Sequence, residues 1–221
     1  MADSILTPEQ QAFLKFVKNQ PGLIEMFYFT GGTCLAEYYL HHRISEDLDF
    51  FSEQDFDPQV LTVLFKRNKS ELSYTNLDFQ QSFNRNLFFL SFSGNSQLKV
   101  EFTYYPFPRI DTTQSKDGIP IDSLQDITVN KLFTIYQKPR GRDFYDLYAI
   151  YQNSKWNIKE LMKLARIKFD TNIDPLQLGR NLMQVERLND DPLVINQVYQ
   201  YTDVASFFHS TAQSLKSDVL N

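Results

Sequence analysis

The sequence predicts an α+β fold, with a mixed-sheet α/β half at the N-terminus and an all-helical half at the C-terminus. Strand-like runs of alternating apolar residues occur up to about residue 104, whereas apolar residues after residue 123 recur at helical spacing. Aromatic residues make up 15% of the 221 residues, which suits a thick core that contains strands. The segment Tyr105–Ile121 contains several prolines and no periodicity, so we interpret it as a long connection. The predicted domains are therefore 1–115 and 116–221.

Helices and strands alternate in the N-terminal half. Apolar residues at helical spacing, with a proline at the start or a glycine pair before it, predict helices over Pro8–Val17, Cys34–His42 and Pro58–Lys66. Apolar alternation and aromatic content predict strands over Ile24–Phe29, Asp47–Phe51, Leu72–Phe79, Asn86–Phe92 and Gln97–Tyr104. The Ser-Gly-Asn-Ser segment between the last two strands predicts a hairpin.

The C-terminal half shows helical patterns throughout. Ser123 and Asp126 resemble a capping box at the start of the first helix, with Asp in place of the usual Glu. The segment Pro139–Gly141 ends this helix, and a second apolar stripe follows it directly. Further helices are predicted over Ile158–Phe169, Pro175–Glu186 and Pro192–Leu215.

Composition and charge exclude several classes of protein. No apolar run reaches the ~18 residues needed to cross a bilayer, and the N-terminus Met1–Ser4 lacks a basic and then apolar signal segment. Cys34 is the single cysteine, so no intrachain disulfide forms and a reducing cytoplasm is the simplest location. The net charge of −5 argues against a protein that coats nucleic acid through bulk electrostatics, but it does not exclude a nucleic-acid substrate held by a local basic patch.

The first candidate functional segment is Gly31-Gly32-Thr33, which lies between a predicted strand and a predicted helix. The start of a helix presents backbone N–H groups and a positive dipole end. The missing Cβ atoms let a phosphate chain approach the backbone, and Thr33 adds a hydroxyl donor. The alternative is a plain strand-to-helix turn without a ligand.

The second candidate segment carries Asp47 and Asp49, which point to the same face of a strand because side chains alternate. Two neighbouring carboxylates repel unless a cation lies between them, and Mg²⁺ takes oxygen ligands of this type together with water and phosphate oxygens. Glu101 has the same parity, since it lies opposite the apolar face of its own strand. Converging carboxylates beside a phosphate cradle suit two-metal phosphoryl transfer. The alternative is an exposed acidic strand end.

These segments resemble the AbiEii/AbiGii-type toxin family of nucleotidyltransferases, within the polymerase-beta-like nucleotidyltransferase superfamily. In the same order, the matching segments are Gly-Gly-Thr at 31–33, Arg-x-Ser-x-Asp-Leu-Asp-Phe-Phe at 43–51, Asn-Lys-Leu at 130–132 and Arg-Asp-x-x-Asp-Leu at 142–147. Thr33 stands where many superfamily members have serine, which keeps the hydroxyl. The resemblance covers Phe29–Leu147 and ends by about Gln152.

The resemblance implies an enzyme that transfers a nucleoside monophosphate from an NTP, with Mg²⁺ or Mn²⁺ as cofactor and the active site in a cleft between the two halves. It implies that the metal is bound by Asp47, Asp49 and Glu101, and that further catalytic residues are Lys131, Asp143 and Asp146. It implies that the nucleotide is contacted by Gly31, Gly32, Thr33, Arg43, Ser45 and Lys131. Without the resemblance, Lys131 is interpreted as a lysine whose aliphatic stem passes apolar neighbours so that its ammonium reaches water. Asp143 and Asp146 are then acids that the helix dipole favours near the start of the second helix.

The resemblance also implies an RNA acceptor, such as the 3′ end of a tRNA, and a cognate antitoxin protein as partners. Basic residues that would guide an RNA backbone occur at Lys66, Arg67 and Lys69 and at Lys163, Arg166 and Lys168, although charged helix faces are usually only solvated. Two alternatives stay open. The acceptor is a small molecule or a partner protein, which the acidic composition favours, or the chain is a catalytically idle nucleotide-binding module, which the retained carboxylates disfavour.

Overall fold

The strands of the protein form one mixed sheet. The computed structural model describes residues 4–191 and 194–219. Its strands are β1 (Tyr28–Thr30), β2 (Leu48–Ser52), β3 (Asn76–Ser82), β4 (Arg85–Ser91), β5 (Gln97–Tyr104), β6 (Gln114–Lys116) and β7 (Ile119–Ile121). Within the described residues their order is β3-β4-β5-β2-β1-β7-β6. The pairs β2/β5 and β1/β7 are parallel, and the other neighbours are antiparallel.

The described chain divides into two compact units. The first, called the sheet unit here, contains the chain up to Tyr39, Ser45–Pro108 and Thr112–Ser123. The second, called the helical unit, contains Leu40–Ile44, Arg109–Asp111 and the chain from Leu124 onward.

The helices of the sheet unit begin at residues that favour helix starts. They are α1 (Pro8–Lys18), α2 (Pro21–Met26), α3 (Gly31–Leu35), α4 (Pro58–Arg67) and α5 (Lys69–Leu72). Thr7 caps α1 in a reciprocal capping box with Gln10, and Asp57 caps α4. The chain after α3 continues as a π-helical turn over Ala36–Leu40.

A cluster of phenylalanines forms the core of the sheet unit. Phe13 of α1 and Phe65 of α4 pack with ring centroids 5.6 Å apart, and Phe65 reaches Phe88 of β4 at 4.9 Å. Phe50 of β2 stacks on Phe102 of β5 at 5.0 Å. Each of these rings is at most 1% exposed. Because side chains alternate along a strand, the residues between these rings project from the opposite face of the sheet.

The helical unit is built from consecutive helices with their own core. They are α6 (Leu124–Gln137), α7 (Gly141–Asn153), α8 (Ile158–Phe169), α9 (Pro175–Leu182) and α10 (Tyr201–Val219), with a 3₁₀ turn over Val185–Leu188. Asn157 caps α8 through a capping box with Glu160. Phe144 and Phe208 are fully buried, with ring centroids 5.2 Å apart.

The predicted α+β fold class is confirmed by this mixed sheet and these helices. The predicted helices that start at Pro8 and Pro58 are present, and the predictions for Gln97–Tyr104 and Ile158–Phe169 have the observed bounds. Strong local periodicity and good helix caps mark these four elements.

Two predicted strands are wrong in their first residues. Ile24 lies in α2, because Pro21 occupies the first turn of a helix, and β1 begins only at Tyr28. Leu72 ends α5, and Ser73 follows in the left-handed region at φ 56°, so β3 begins only at Asn76. In both places a short helix occupies apolar residues that also fit a strand.

The interpretation of Tyr105–Ile121 as an irregular connection is wrong for its second part. Asp117 and Gly118 have positive φ values of 52° and 83° and turn the chain between β6 and β7. β7 then pairs in parallel with β1. Such pairing over long sequence distance leaves no local periodicity. The boundary predicted between residues 115 and 116 lies inside β6.

The predictions after residue 174 are correct in type and wrong in length. The helix predicted over Pro175–Glu186 ends at Leu182, and the last helix begins at Tyr201. Pro192, at which that last helix was predicted to begin, lies outside the described residues, as do Met1–Asp3 and the final residues of the predicted helical domain. Among the described residues, no helix is long and apolar enough to cross a membrane.

Candidate active site

The glycine turn connects β1 directly to α3. Gly31 has φ +77°, a conformation that L side chains rarely adopt, and a Cβ atom built there would overlap the Asp49 carboxylate. Thr30 precedes α3 without capping it, since its hydroxyl donates to Asp122 at 2.8 Å. Gly32 is buried at the first turn of the helix. The turn is therefore in contact with the acidic strand β2.

Thr33 has a second role in this turn. Its side chain is nearly inaccessible, and its hydroxyl donates a hydrogen bond to the backbone carbonyl of Asp47. The hydroxyl that the sequence predicts as a phosphate donor thus ties α3 to the residue just before β2.

Asp47 lies just before β2 and Asp49 lies within it, on the face opposite the phenylalanine core. The carboxylate of Asp47 pairs with Nζ of Lys99 on β5 at 2.6 Å, and both side chains are about one quarter exposed. Asp49 is half-buried against the glycine turn. Asp47 therefore has a lysine partner already in place.

Glu101 lies beside Asp49. The parallel pairing of β2 and β5 aligns the Cα atoms of these two residues, so both side chains project from the same face of the sheet. The next residues along the strands, Phe50 and Phe102, are likewise aligned and stack on the core side.

The carboxylate of Glu101 is already bound to a guanidinium. Arg85 of β4 donates from Nε and Nη2 to the two carboxylate oxygens, each at 2.6 Å, and the Thr103 hydroxyl donates at 2.8 Å. Burial by itself raises the pKa of Glu101, but the hydrogen bonds and charge of Arg85 outweigh it, so the pKa lies below its usual value. The hydrogen bond to Glu101 and the charges of Asp49 and Asp47 raise the pKa of Arg85.

The donors beside the glycine turn suit a divalent cation in part. Among the described residues, no three His, Cys, Asp or Glu side chains are placed to hold a metal ion together. Asp47 and Asp49 supply the oxygen ligands that Mg²⁺ prefers, and Mg²⁺ commonly takes only one or two carboxylates from a protein. Asp47 is partly exposed and contacts Lys99 through one oxygen, whereas Glu101 is buried and both of its oxygens accept from Arg85, so the two aspartates fit such an ion better than Glu101 does.

A second cluster of predicted site residues lies within the helical unit, around Asp146 of α7. Its carboxylate accepts from Nε and Nη2 of Arg43 at 2.6 and 2.9 Å, contacts Nε2 of His42 at 2.8 Å and pairs with Nζ of Lys131 at 2.7 Å. All four side chains are nearly or fully buried. Burial alone raises the pKa of Asp146, but the charges of Arg43 and Lys131 hold it well below its usual value.

Asp143, one helical turn earlier, binds the same lysine. Nζ of Lys131 lies 2.9 Å from its carboxylate, and Arg140 pairs with it at 2.6 Å. Burial by itself raises the pKa of Asp143, but the charges of Lys131 and Arg140 outweigh this effect, so the pKa lies below its usual value. The predicted residues Lys131, Asp143 and Asp146 are thus brought together, and the two aspartates orient the lysine.

His42 is held as a neutral ring in this cluster. Burial lowers its pKa, although the hydrogen bond and charge of Asp146 act in the opposite direction. The ring stacks on Tyr145 with centroids 5.8 Å apart, and Nδ1 has no hydrogen-bond partner among the described residues. A neutral ring that donates through Nε2 to Asp146 agrees with both observations.

The remaining predicted residues are mostly inaccessible. Arg43 is 3% exposed, and besides Asp146 it binds the carbonyl of Ile44 at 2.9 Å. Ser45 is buried, and its backbone carbonyl accepts from Gln10 at 3.0 Å. Lys168, one of the basic residues considered for RNA, is buried and pairs with Asp126 at 2.6 Å, so it does not belong to a basic surface. Lys163 and Arg166 of the same helix are exposed.

Sequence reasoning missed Arg85 and Lys99. The alternation of side chains could have found both residues. Lys99 is two positions before Glu101 in the same strand, and Arg85 is two positions before Leu87, which pairs with Glu101 in the neighbouring strand. The parity that selects Glu101 therefore also selects these cations. Their partners follow only from the strand order, which a sequence does not reveal.

The chain matches known proteins over most of its length. A family model described as "Nucleotidyl transferase AbiEii toxin, Type IV TA system" matches residues 15–200. An uncharacterized protein of Aquifex aeolicus (strain VF5), aq_aa25, is 30% identical over 207 residues, which cover 92% of this chain and 94% of that protein.

Two solved structures from Helicobacter pylori share the fold. JHP933 superposes with a TM-score of 0.61 at 22% identity, covering 95% of this chain and 91% of its own. A second structure, provisionally described as a nucleotidyltransferase, superposes with a TM-score of 0.60 at 22% identity, covering 98% and 99%.

Proposed function

The chain belongs to the AbiEii nucleotidyl transferase toxin family, and we propose that this nucleotidyltransferase transfers a nucleoside monophosphate from an NTP to a hydroxyl of an RNA in a metal-dependent reaction. The acceptor hydroxyl forms a bond to the α-phosphorus, pyrophosphate leaves, and the hydroxyl proton passes to a carboxylate or to water. A tRNA 3′ end is the acceptor that the family resemblance favours.

The contact between the glycine turn and Asp49 carries this proposal. Because Gly31 has no Cβ atom, the Asp49 carboxylate reaches the turn, beside the first backbone N–H groups of α3 that would meet a phosphate chain. Asp47 and Asp49 would hold one Mg²⁺ or Mn²⁺ ion next to the phosphates. When bound, such an ion neutralises phosphate charge and lowers the pKa of the attacking hydroxyl.

The other predicted catalytic residues contribute mainly through charge and position. The pKa is lowered at three of these carboxyl groups, those of Glu101, Asp143 and Asp146. A carboxylate with a lowered pKa is a poor base at neutral pH. We assign Asp143 and Asp146 the role of orienting Lys131, whose ammonium steadies the phosphates in the family resemblance. Arg43 braces Asp146 in the same cluster.

Label transfer tests the proposal. The protein is incubated with each α-labelled NTP, Mg²⁺ and total RNA, and Asp47→Ala is compared with Asp55→Ala, an exposed aspartate outside the site. We expect labelled RNA with the wild type and Asp55→Ala, and a loss on the order of 100-fold or more with Asp47→Ala, the size typical of removing one group that stabilises the transition state. Equal transfer by wild type and Asp47→Ala contradicts the assignment.

The class of molecule that receives the label decides the acceptor. The alternative acceptors are a small molecule and a partner protein, and the net charge of −5 and the burial of Lys168 are the observations in their favour. The label is therefore counted separately in the RNA, protein and small-molecule fractions. Growth arrest on expression of the wild type but not of Asp47→Ala supports the toxin role. A small regulator encoded immediately upstream, and its relief of that arrest, supports an antitoxin partner.

A further inference from the structure

The Arg85–Glu101 pair occupies the place where the sequence predicts a third metal-binding carboxylate. Glu101 is only 4% exposed, and both of its oxygens accept from one guanidinium. Bidentate pairs of arginine and carboxylate are among the strongest charge-assisted hydrogen bonds in proteins. A metal ion would gain Glu101 only by displacing Arg85 and leaving its charge without a partner.

Arg85 is also placed to contact a substrate. Its side chain is 52% exposed although its head group is fixed by Glu101. Nη1 makes no hydrogen bond among the described residues, so it retains donors that point away from the ion pair. Glu101, to which the guanidinium is bound, is the neighbour of Asp49 across the two parallel strands, which places Arg85 near the carboxylates that would hold the first ion.

We propose that Arg85, anchored by Glu101, takes the place of a second divalent ion in this enzyme and contacts the triphosphate of the incoming nucleotide. Glu101 is then a positioning residue for Arg85, and Asp47 and Asp49 bind a single ion. This inference rests on the proposed nucleotidyl transfer, because it assigns the charge that meets the NTP.

Counting bound Mn²⁺ tests the proposal without relying on turnover. Free Mn²⁺ is measured by electron paramagnetic resonance, with and without a non-hydrolysable α,β-methylene ATP analogue, and analogue affinity is measured by calorimetry. With saturating analogue, we expect one Mn²⁺ per chain for the wild type and for Glu101→Gln. Two ions per wild-type chain, with one lost in Glu101→Gln, overturn the proposal.

Variants of Arg85 supply the second readout. Arg85→Ala should weaken analogue binding by about 10- to 100-fold, the range for one lost hydrogen bond to a charged group. Arg67→Ala, an exposed arginine at the end of α4, is the matched control and should bind like the wild type. Arg85→Ala leaves the buried Glu101 without its cation. If that variant does not fold, the double variant Arg85→Gln/Glu101→Gln, which removes both charges of the pair, is measured in its place. Wild-type affinity in the double variant overturns the proposal.

The two proposals fail differently. Label transfer that depends on Asp47, combined with two ions or with an unimportant Arg85, overturns only the inference about Arg85. Absence of both nucleotide binding and label transfer in the wild type overturns the proposed function and this inference together.

Discussion

Gly31 and Asp49 are in direct contact across two antiparallel strands. The Asp49 carboxylate occupies the space that any side chain at position 31 would need, and Gly31 has a backbone conformation that favours glycine. The glycine is therefore required by the carboxylate and by the turn at once. The contact joins the predicted phosphate-binding segment to the predicted acidic segment.

Gly31→Ala should remove activity and lower stability. The positive φ and the overlap with Asp49 together predict a loss of about 2–4 kcal/mol in the free energy of unfolding. Gly22→Ala is the control, because a Cβ atom at this helical position meets nothing within 4 Å, and it should stabilise by up to about 1 kcal/mol. Urea denaturation and label transfer measure both variants. Wild-type stability of Gly31→Ala would contradict the contact.

Asp146→Asn should destabilise the helical unit. The carboxylate compensates Arg43 and Lys131 in a buried cluster, and removing one member of a buried ion pair costs about 3–5 kcal/mol. Asp190→Asn changes an exposed aspartate after the 3₁₀ turn and should stay within about 0.5 kcal/mol of the wild type. Denaturant titration of both variants checks the difference. Similar losses for the two variants would show that the cluster is not the cause.

His42 should make stability fall as the pH drops from 7.5 to 5.5. Its folded-state pKa is lowered from 6.5, mainly by burial, so the unfolded chain binds more protons in this range. Stability therefore rises with pH and decreases below the unfolded pKa. The groups that face the ring are Asp146, Arg43, Lys131 and Tyr145.

His42→Gln should flatten this pH dependence, measured as the midpoint of urea denaturation at each pH. His41→Asn is the matched control, because His41 is exposed with φ 47°, a conformation that asparagine tolerates, and it should retain the wild-type slope. An unchanged slope in His42→Gln would assign the pH dependence to another group.

Lys168→Met should lower stability by about 3–5 kcal/mol, because it removes the buried cation that compensates Asp126. The double variant with Asp126→Asn should recover part of the loss, since the buried charge is then removed and an amide oxygen still accepts hydrogen bonds. Lys163→Met, on the exposed side of α8, should change stability by less than about 0.5 kcal/mol. Thermal and urea denaturation measure all three, and an equal effect of the two lysines would contradict the assignment.

Local pattern was sufficient for most helices and for the strand parity. Helix α8 has a capping box and regular apolar spacing, and β5 alternates over its whole length, so both were predicted with their observed bounds. The same alternation selected Glu101 as a residue on the polar face. The helix α2 is missed because its six residues also fit a strand pattern, and β7 is missed because it pairs with β1, which is distant along the chain.

The sequence by itself determined the fold class, the order of the candidate site segments and the face of each strand on which the carboxylates lie, because these follow from backbone periodicity and from residues close along the chain. Only the tertiary structure decided the partners of those charges. Arg85 meets Glu101, Lys99 meets Asp47 and Arg43 meets Asp146. An ion pair forms between residues brought together by strand order and helix packing, and these depend on long-range burial of apolar surface that no local pattern encodes.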